Sequence, residues 1–143
     1  MGKLYDTDIL AWASEQAELL RSGKWSALDI ENIAEEIEDV GKRVQHELGS
    51  RVAVLLAHLL KWQYQPHLRS KSWLATIAVQ RRVIARKLAK VPSLKRYFFD
   101  EDWLDEAWDD AVKFAIGETN LHEFPDEPVW TAQQILDPDF LPD

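Results

Sequence analysis

The chain has 143 residues, 46% hydrophobic and 29% charged, a size and composition suited to one globular domain with its own core. The absence of cysteine excludes disulfides, thiolate metal sites and cysteine nucleophiles, so any metal would need histidine or carboxylate ligands. A formal net charge of −8 argues against a general attraction to nucleic acid or anionic lipid.

The charges are unevenly placed. Residues 1–50 carry 11 acids and 5 bases, residues 51–96 carry 11 bases and no acid, and residues 97–143 carry 14 acids and one base. Either the basic middle faces an external polyanion or it folds against its acidic flanks; the flanks hold enough acid to neutralise it, and we favour the second. No run of roughly 18 apolar residues occurs, and the opening Met1-Gly2-Lys3-Leu4-Tyr5-Asp6 has no apolar signal region. A soluble, cytoplasmic protein with no membrane association is the expectation.

In chain order, Asp6-Thr7-Asp8 can cap a first helix through Ile9, Trp12, Leu19 and Leu20, stopped at Ser22-Gly23. A second helix carries the stripe Ile30, Ile33, Ile37, Val40, Val44 and Leu48. Val52, Leu55, Leu59 and Trp62 continue it in phase at about 100° per residue. A turn at Gly49-Ser50 would have no reason to keep that phase, so the pattern predicts one long helix over about 28–65, roughly 57 Å at 1.5 Å per residue. A helix of that length would protrude from a compact domain, kink, or be covered by a second subunit; a homodimer is the economical expectation. The alternative is a helical hairpin turning at Gly49, where glycine weakens a helix interior by about 1 kcal/mol.

Val52 to Leu60 is apolar all round and predicts an element buried on every side. Ser70 or Ser72 can cap a helix with the stripe Trp73, Ile77, Ile84, Leu88 and Val91, ended by Pro92. A short turn through Leu94, Tyr97 and Phe98 precedes an acidic helix from Trp103 to Ala115, closed by Glu118 to Asn120. The tail from Phe124 holds four of the six prolines and is expected to be extended, with a turn or two of helix at Ala132 to Leu136. Phe124, Trp130, Ile135, Phe140 and Leu141 should pin it to the bundle. The fold expected is therefore all-α, one domain over 1–143: a bundle of four or five helices including the long one, with an extended proline-containing C-terminal segment packed on it.

Tyr-Asp-Thr-Asp-Ile-Leu-Ala-Trp at 5–12, Asp-Ile-Glu-Asn-Ile-Ala-Glu-Glu-Ile-Glu at 29–38, His-Leu-Leu-Lys-Trp-Gln-Tyr-Gln-Pro at 58–66, Ser-Trp-Leu-Ala-Thr-Ile at 72–77 and Gln80-Arg81 resemble the bacterial family called domain of unknown function 29. Pro92-Ser93-Leu94-Lys95, Glu118-Thr119, Phe124-Pro125 and the ending Ile135-Leu136-Asp137 to Pro142 fit as well, so the resemblance spans nearly the whole chain. It implies a small, mainly helical bacterial protein, and it brings no catalytic or binding residues with it.

Three constellations bear on chemistry. Glu35, Glu36 and Asp39 lie at spacings that could present two oxygens to one cation, although a solvated helix face reads the same way. His58 is the polar residue in the buried run, either hydrogen-bonded within the core or a ligand or base; only a hairpin at Gly49 would bring it to Glu35. The third is the cluster Lys61, Trp62, Gln65, Arg69, Trp73, Gln80 and Arg81. Gln80 sits on the apolar line between Trp73 and Ile84, where a buried amide needs partners, and Arg69 and Arg81 could grip a carboxylate or phosphate. There is no phosphate-binding glycine loop, nucleophile elbow or zinc spacing, and no cofactor is implied. The leading functional expectation is a non-enzymatic interaction or regulatory module, homo-oligomeric or bound to a protein partner. The alternatives are a nucleic-acid-associated protein using the basic stretch 51–96, and a metal-dependent hydrolase using Glu35, Glu36 and Asp39.

Overall fold

A computed structural model describes residues 2–143, all-α among those residues. The helices are α1 (Gly2–Thr7), α2 (Ile9–Arg21), α3 (Ile30–Tyr64), α4 (Lys71–Lys90), α5 (Glu101–Thr119) and α6 (Ala132–Leu136); short 3₁₀ turns lie at Trp25–Ala27, Pro66–Leu68 and Pro92–Phe99. No helix is long and apolar enough to cross a membrane among the described residues. The long helix expected at about 28–65 is α3, helical through Gly49 and Ser50. The continuity of its apolar phase was the correct guide, and the hairpin does not form. A Cβ built on Gly49 would lie 3.6 Å from Cζ2 of Trp103, ordinary van der Waals spacing.

The chain divides into two compact units, Met1–Val44 and Gln45–Asp143. In the first, α1 precedes the expected helix and was not anticipated. Asp8 separates it from α2 by leaving helical geometry and accepting a hydrogen bond from the Ala11 amide at 3.1 Å. Gly23, at φ +72°, lets the Lys24 amide reach back to the Leu19 carbonyl and end α2. Trp12 and Gln16 are the buried residues of α2, and both reach Asp29: the indole Nε1 donates to its carboxylate at 3.0 Å, and the Gln16 amide oxygen accepts from its backbone N–H at 2.9 Å. Tyr5 meets Trp12 edge to face at 4.7 Å and donates its hydroxyl to Glu36 at 2.6 Å. This interior is small and partly polar, and of the α3 stripe in this unit only Ile33 is half-buried. Ile30, Ile37, Val40 and Val44 are 68%, 67%, 53% and 37% exposed, and Leu10 and Trp25 are exposed too.

The second unit has a conventional core. Leu48, Val52, Leu55, Leu56, Leu59 and Leu60 of α3 are fully buried, clustered with Ile77, Ile84 and Leu88 of α4 and with Ala107, Trp108, Ala111 and Ala115 of α5. The helix ends follow local chemistry. Ser70 caps α4 by accepting from the Trp73 amide; Asp100 caps α5 through the Asp102 and Trp103 amides; Asn120, at φ 58°, closes α5 in the left-handed conformation. The tail is held as its apolar residues predicted. Phe124, Trp130 and Ile135 are buried, Trp108 donates its indole N–H to the Pro125 carbonyl at 2.8 Å, and Trp130 stands edge-on to Trp108. Phe140 packs on the core while Leu141 stays exposed. A capping box between Thr131 and Gln134 starts α6.

Candidate functional site

The residues of the predicted cluster separate into pairs. Lys61, on the last turn of α3, is buried; its ammonium lies 2.5 Å from the Glu118 carboxylate of α5 and 5.1 Å above the Trp73 ring. Arg69 stacks on Trp62 at 4.8 Å, donates Nε to the Trp62 carbonyl and Nη2 to the backbone oxygen of Asp143. Gln65, half-buried, leads into the turn at Pro66–Leu68 through its backbone alone. His58 makes a 2.8 Å bond through Nδ1 to the Val54 carbonyl, one helical turn back. Burial pushes its pKa below the usual 6.5; Lys61 adds to that, while the Val54 bond and Glu118 oppose it.

Gln80 and Arg81 are both buried but act differently. The amide oxygen of Gln80 has no hydrogen-bond partner among the described residues. Arg81 crosses to the tail, donating Nε to the Ile135 carbonyl at 2.9 Å and Nη2 to the Gln134 carbonyl at 3.4 Å. The Gln134 carbonyl also accepts from the Asp137 amide at 3.3 Å, whereas the Ile135 carbonyl lies in the last turn of α6, where helix geometry leaves carbonyls without helical partners, so Arg81 helps to cap the C-terminus of that helix. No carboxylate pairs with Arg81 among the described residues, and burial lowers its pKa, with Asp137 opposing.

Two cavities lie in this unit. The first, about 270 Å³, is acidic: Asp102, Glu106 and Asp110, one turn apart along α5, face it with Asp100, and Tyr97, Trp103 and His46 complete its wall. The second, about 550 Å³, is a half-open groove between α4 and the tail. Leu74, Ile77, Ala78 and Ala85 form one side, Leu136, Pro138 and Leu141 the other, with Arg81, Arg82 and Asp139 as its charged residues. The sequence reading had Arg81 but missed the groove. Its signal was a second apolar line on α4, Leu74, Ala78 and Ala85, beside the core stripe.

The weaker metal candidates Glu35, Glu36 and Asp39 lie on α3 in the first unit. Glu36 accepts the Tyr5 hydroxyl, Asp39 is 3.9 Å from Lys42, and no group of three acids or histidines that could hold a metal ion occurs among the described residues. Of the basic stretch, Lys61 and Lys87 pair with Glu118 and Glu47, while Arg69 and Arg81 hold backbone carbonyls. The two lysines thus have carboxylate partners, and the two arginines have backbone carbonyls.

No curated protein and no solved structure matches this chain. The family model described as domain of unknown function DUF29 matches residues 4–141, nearly the full length. With that match alongside the all-α fold, the chain belongs to the DUF29 family.

Proposed function

We propose that the chain is an interaction module that pairs with a second copy of itself, antiparallel along the first half of α3. The observation that carries this reading is the exposed heptad Ile30, Ile37 and Val44, with Val40 between them. β-Branched residues at seven-residue intervals, interleaved by Ile33 and Val40, form the a and d seam of a left-handed coiled coil. Each such side chain is worth about 1.5–3 kcal/mol when fully buried, so a seam of this length left in water is a strong drive to associate. Within the first unit only Ile33 of this seam is half-buried; the other four are exposed.

The flanking residues favour a second copy in antiparallel register. Packing Ile37 against Val40, and Ile33 against Val44, places Glu36 beside Arg43 of the second copy, twice by symmetry. It also sets Ala34 against Gly41, small residues that permit close approach. A parallel pair would place Glu36 beside Gly41 and lose both ion pairs.

Sedimentation equilibrium tests this. The wild-type chain is expected to dimerise, Ile37→Glu to be monomeric with unchanged helical circular dichroism, and Arg43→Glu to weaken the dimer. Glu36→Arg combined with Arg43→Glu should restore it. A wild-type chain monomeric at every concentration, or an Arg43→Glu dimer as strong as wild type, contradicts the proposal.

A further inference from the structure

The groove between α4 and the tail has a chemistry separate from the proposed dimer seam. It is apolar along both sides, and at about 550 Å³ it falls within the range of roughly 300–1,000 Å³ typical of small-molecule sites. Arg81 reaches into its wall while only 5% exposed. A buried guanidinium is costly unless a carboxylate and further hydrogen bonds compensate it. Arg81 has the two backbone carbonyls, through Nε and Nη2, and no carboxylate; its Nη1 makes no hydrogen bond among the described residues. Arg82 adds a second cation on the same wall, against the single acid Asp139. An arginine fork with an unused nitrogen beside an apolar trough matches a carboxylate joined to a hydrocarbon chain.

We propose that this groove binds a free medium-chain acyl carboxylate, its headgroup held by Arg81 and Arg82 and its chain lying between Leu74, Ala78, Ala85 and the tail residues Leu136 and Leu141. The acid supplies the direct carboxylate partner that Arg81 lacks, Asp137 acting on it only from beyond ion-pair distance. Because Arg81 also caps α6, an occupied groove ties the tail more firmly to α4.

Calorimetric titration of the full chain with decanoate, decanol and decyltrimethylammonium tests the assignment. Decanoate is expected to bind, decanol at least about tenfold more weakly, and the ammonium not at all. Arg82→Gln, which alters an exposed side chain and leaves the α6 cap intact, should weaken decanoate by about tenfold. Ala78→Trp, which fills the trough from the exposed face of α4, should abolish binding with circular dichroism unchanged. Hydrogen exchange at the α6 amides should slow when decanoate is added to wild type and not when it is added to Ala78→Trp. Absence of decanoate binding, equal binding of decanol, or binding of an apolar peptide in place of decanoate overturns the proposal.

Discussion

Lys61 and Glu118 lie 57 positions apart in sequence and meet with the ammonium 2.5 Å from the carboxylate, joining the last turn of α3 to the last turn of α5. The two ends of this pair are unequal: the Lys61 side chain is 8% exposed and that of Glu118 45%. Removing the acid strands a charge in the core, whereas removing the base leaves a carboxylate that water can solvate. Glu118→Ala should therefore cost about 1–2 kcal/mol, less than a fully buried pair because Glu118 is half in water. Lys61→Met, which keeps the packing on Trp73, should cost less than Glu118→Ala. Urea unfolding of the two variants checks the order, and a larger loss in Lys61→Met contradicts it.

His58 gives the fold a pH dependence of definite sign. Its native pKa is lowered below 6.5, chiefly by burial, so the native state resists taking a proton that the unfolded chain accepts. Above pH 6.5 neither state is protonated and the contribution is complete. As pH falls through 6.5 the unfolded state binds the proton first, and stability declines until the lowered native pKa is reached, by at most about 1.4 kcal/mol per pH unit. Denaturant unfolding of wild type and His58→Gln between pH 7.5 and about pH 5 should show a shallower decline in the variant. Parallel curves would remove His58 as the cause.

Glycine-to-alanine substitutions should have opposite signs at two positions. Gly49 is in the interior of α3, and a Cβ there meets Trp103 at ordinary distance, so Gly49→Ala should stabilise by about 0.5–1 kcal/mol. Gly23 has φ +72° at the end of α2, a conformation strained for any residue with a Cβ, so Gly23→Ala should destabilise by about 1 kcal/mol. Chemical denaturation followed by circular dichroism reads both; a destabilised Gly49→Ala would indicate that the Trp103 indole cannot accommodate the methyl group.

What could be read from the sequence was local. Asp8, Ser70 and Asn120 mark helix ends because a cap involves only neighbouring amides and carbonyls, and the phase of α3 carries through Gly49 because side-chain direction is set by helix geometry. The helix Ala132–Leu136 was legible from the prolines that frame it, while its cap at Thr131 emerges only in the structure. The partners of Lys61 and Arg81 were not, since Glu118 and the carbonyls of Gln134 and Ile135 become neighbours only when the core closes. The cluster expected around Gln80 rested on helix angle and sequence proximity, which fix a direction but not what stands opposite. The same limit applies to Ile30, Ile37 and Val44: periodicity announces an apolar stripe without naming what covers it.

The central claim is the antiparallel pairing of α3, and the lack of cysteine makes it directly measurable, since one introduced cysteine gives one spin label per chain. In the register proposed the two-fold axis passes between positions 38 and 39, so labels at Glu38→Cys should lie close across the dimer. Labels at Glu31→Cys should be offset by about 22 Å along the helix axis at 1.5 Å per residue. Pulsed dipolar spectroscopy is predicted to find a short intermolecular distance at position 38 and a distinctly longer one at position 31, both lost on dilution with unlabelled chain. Equal distances at the two positions, or no intermolecular signal, would contradict the account.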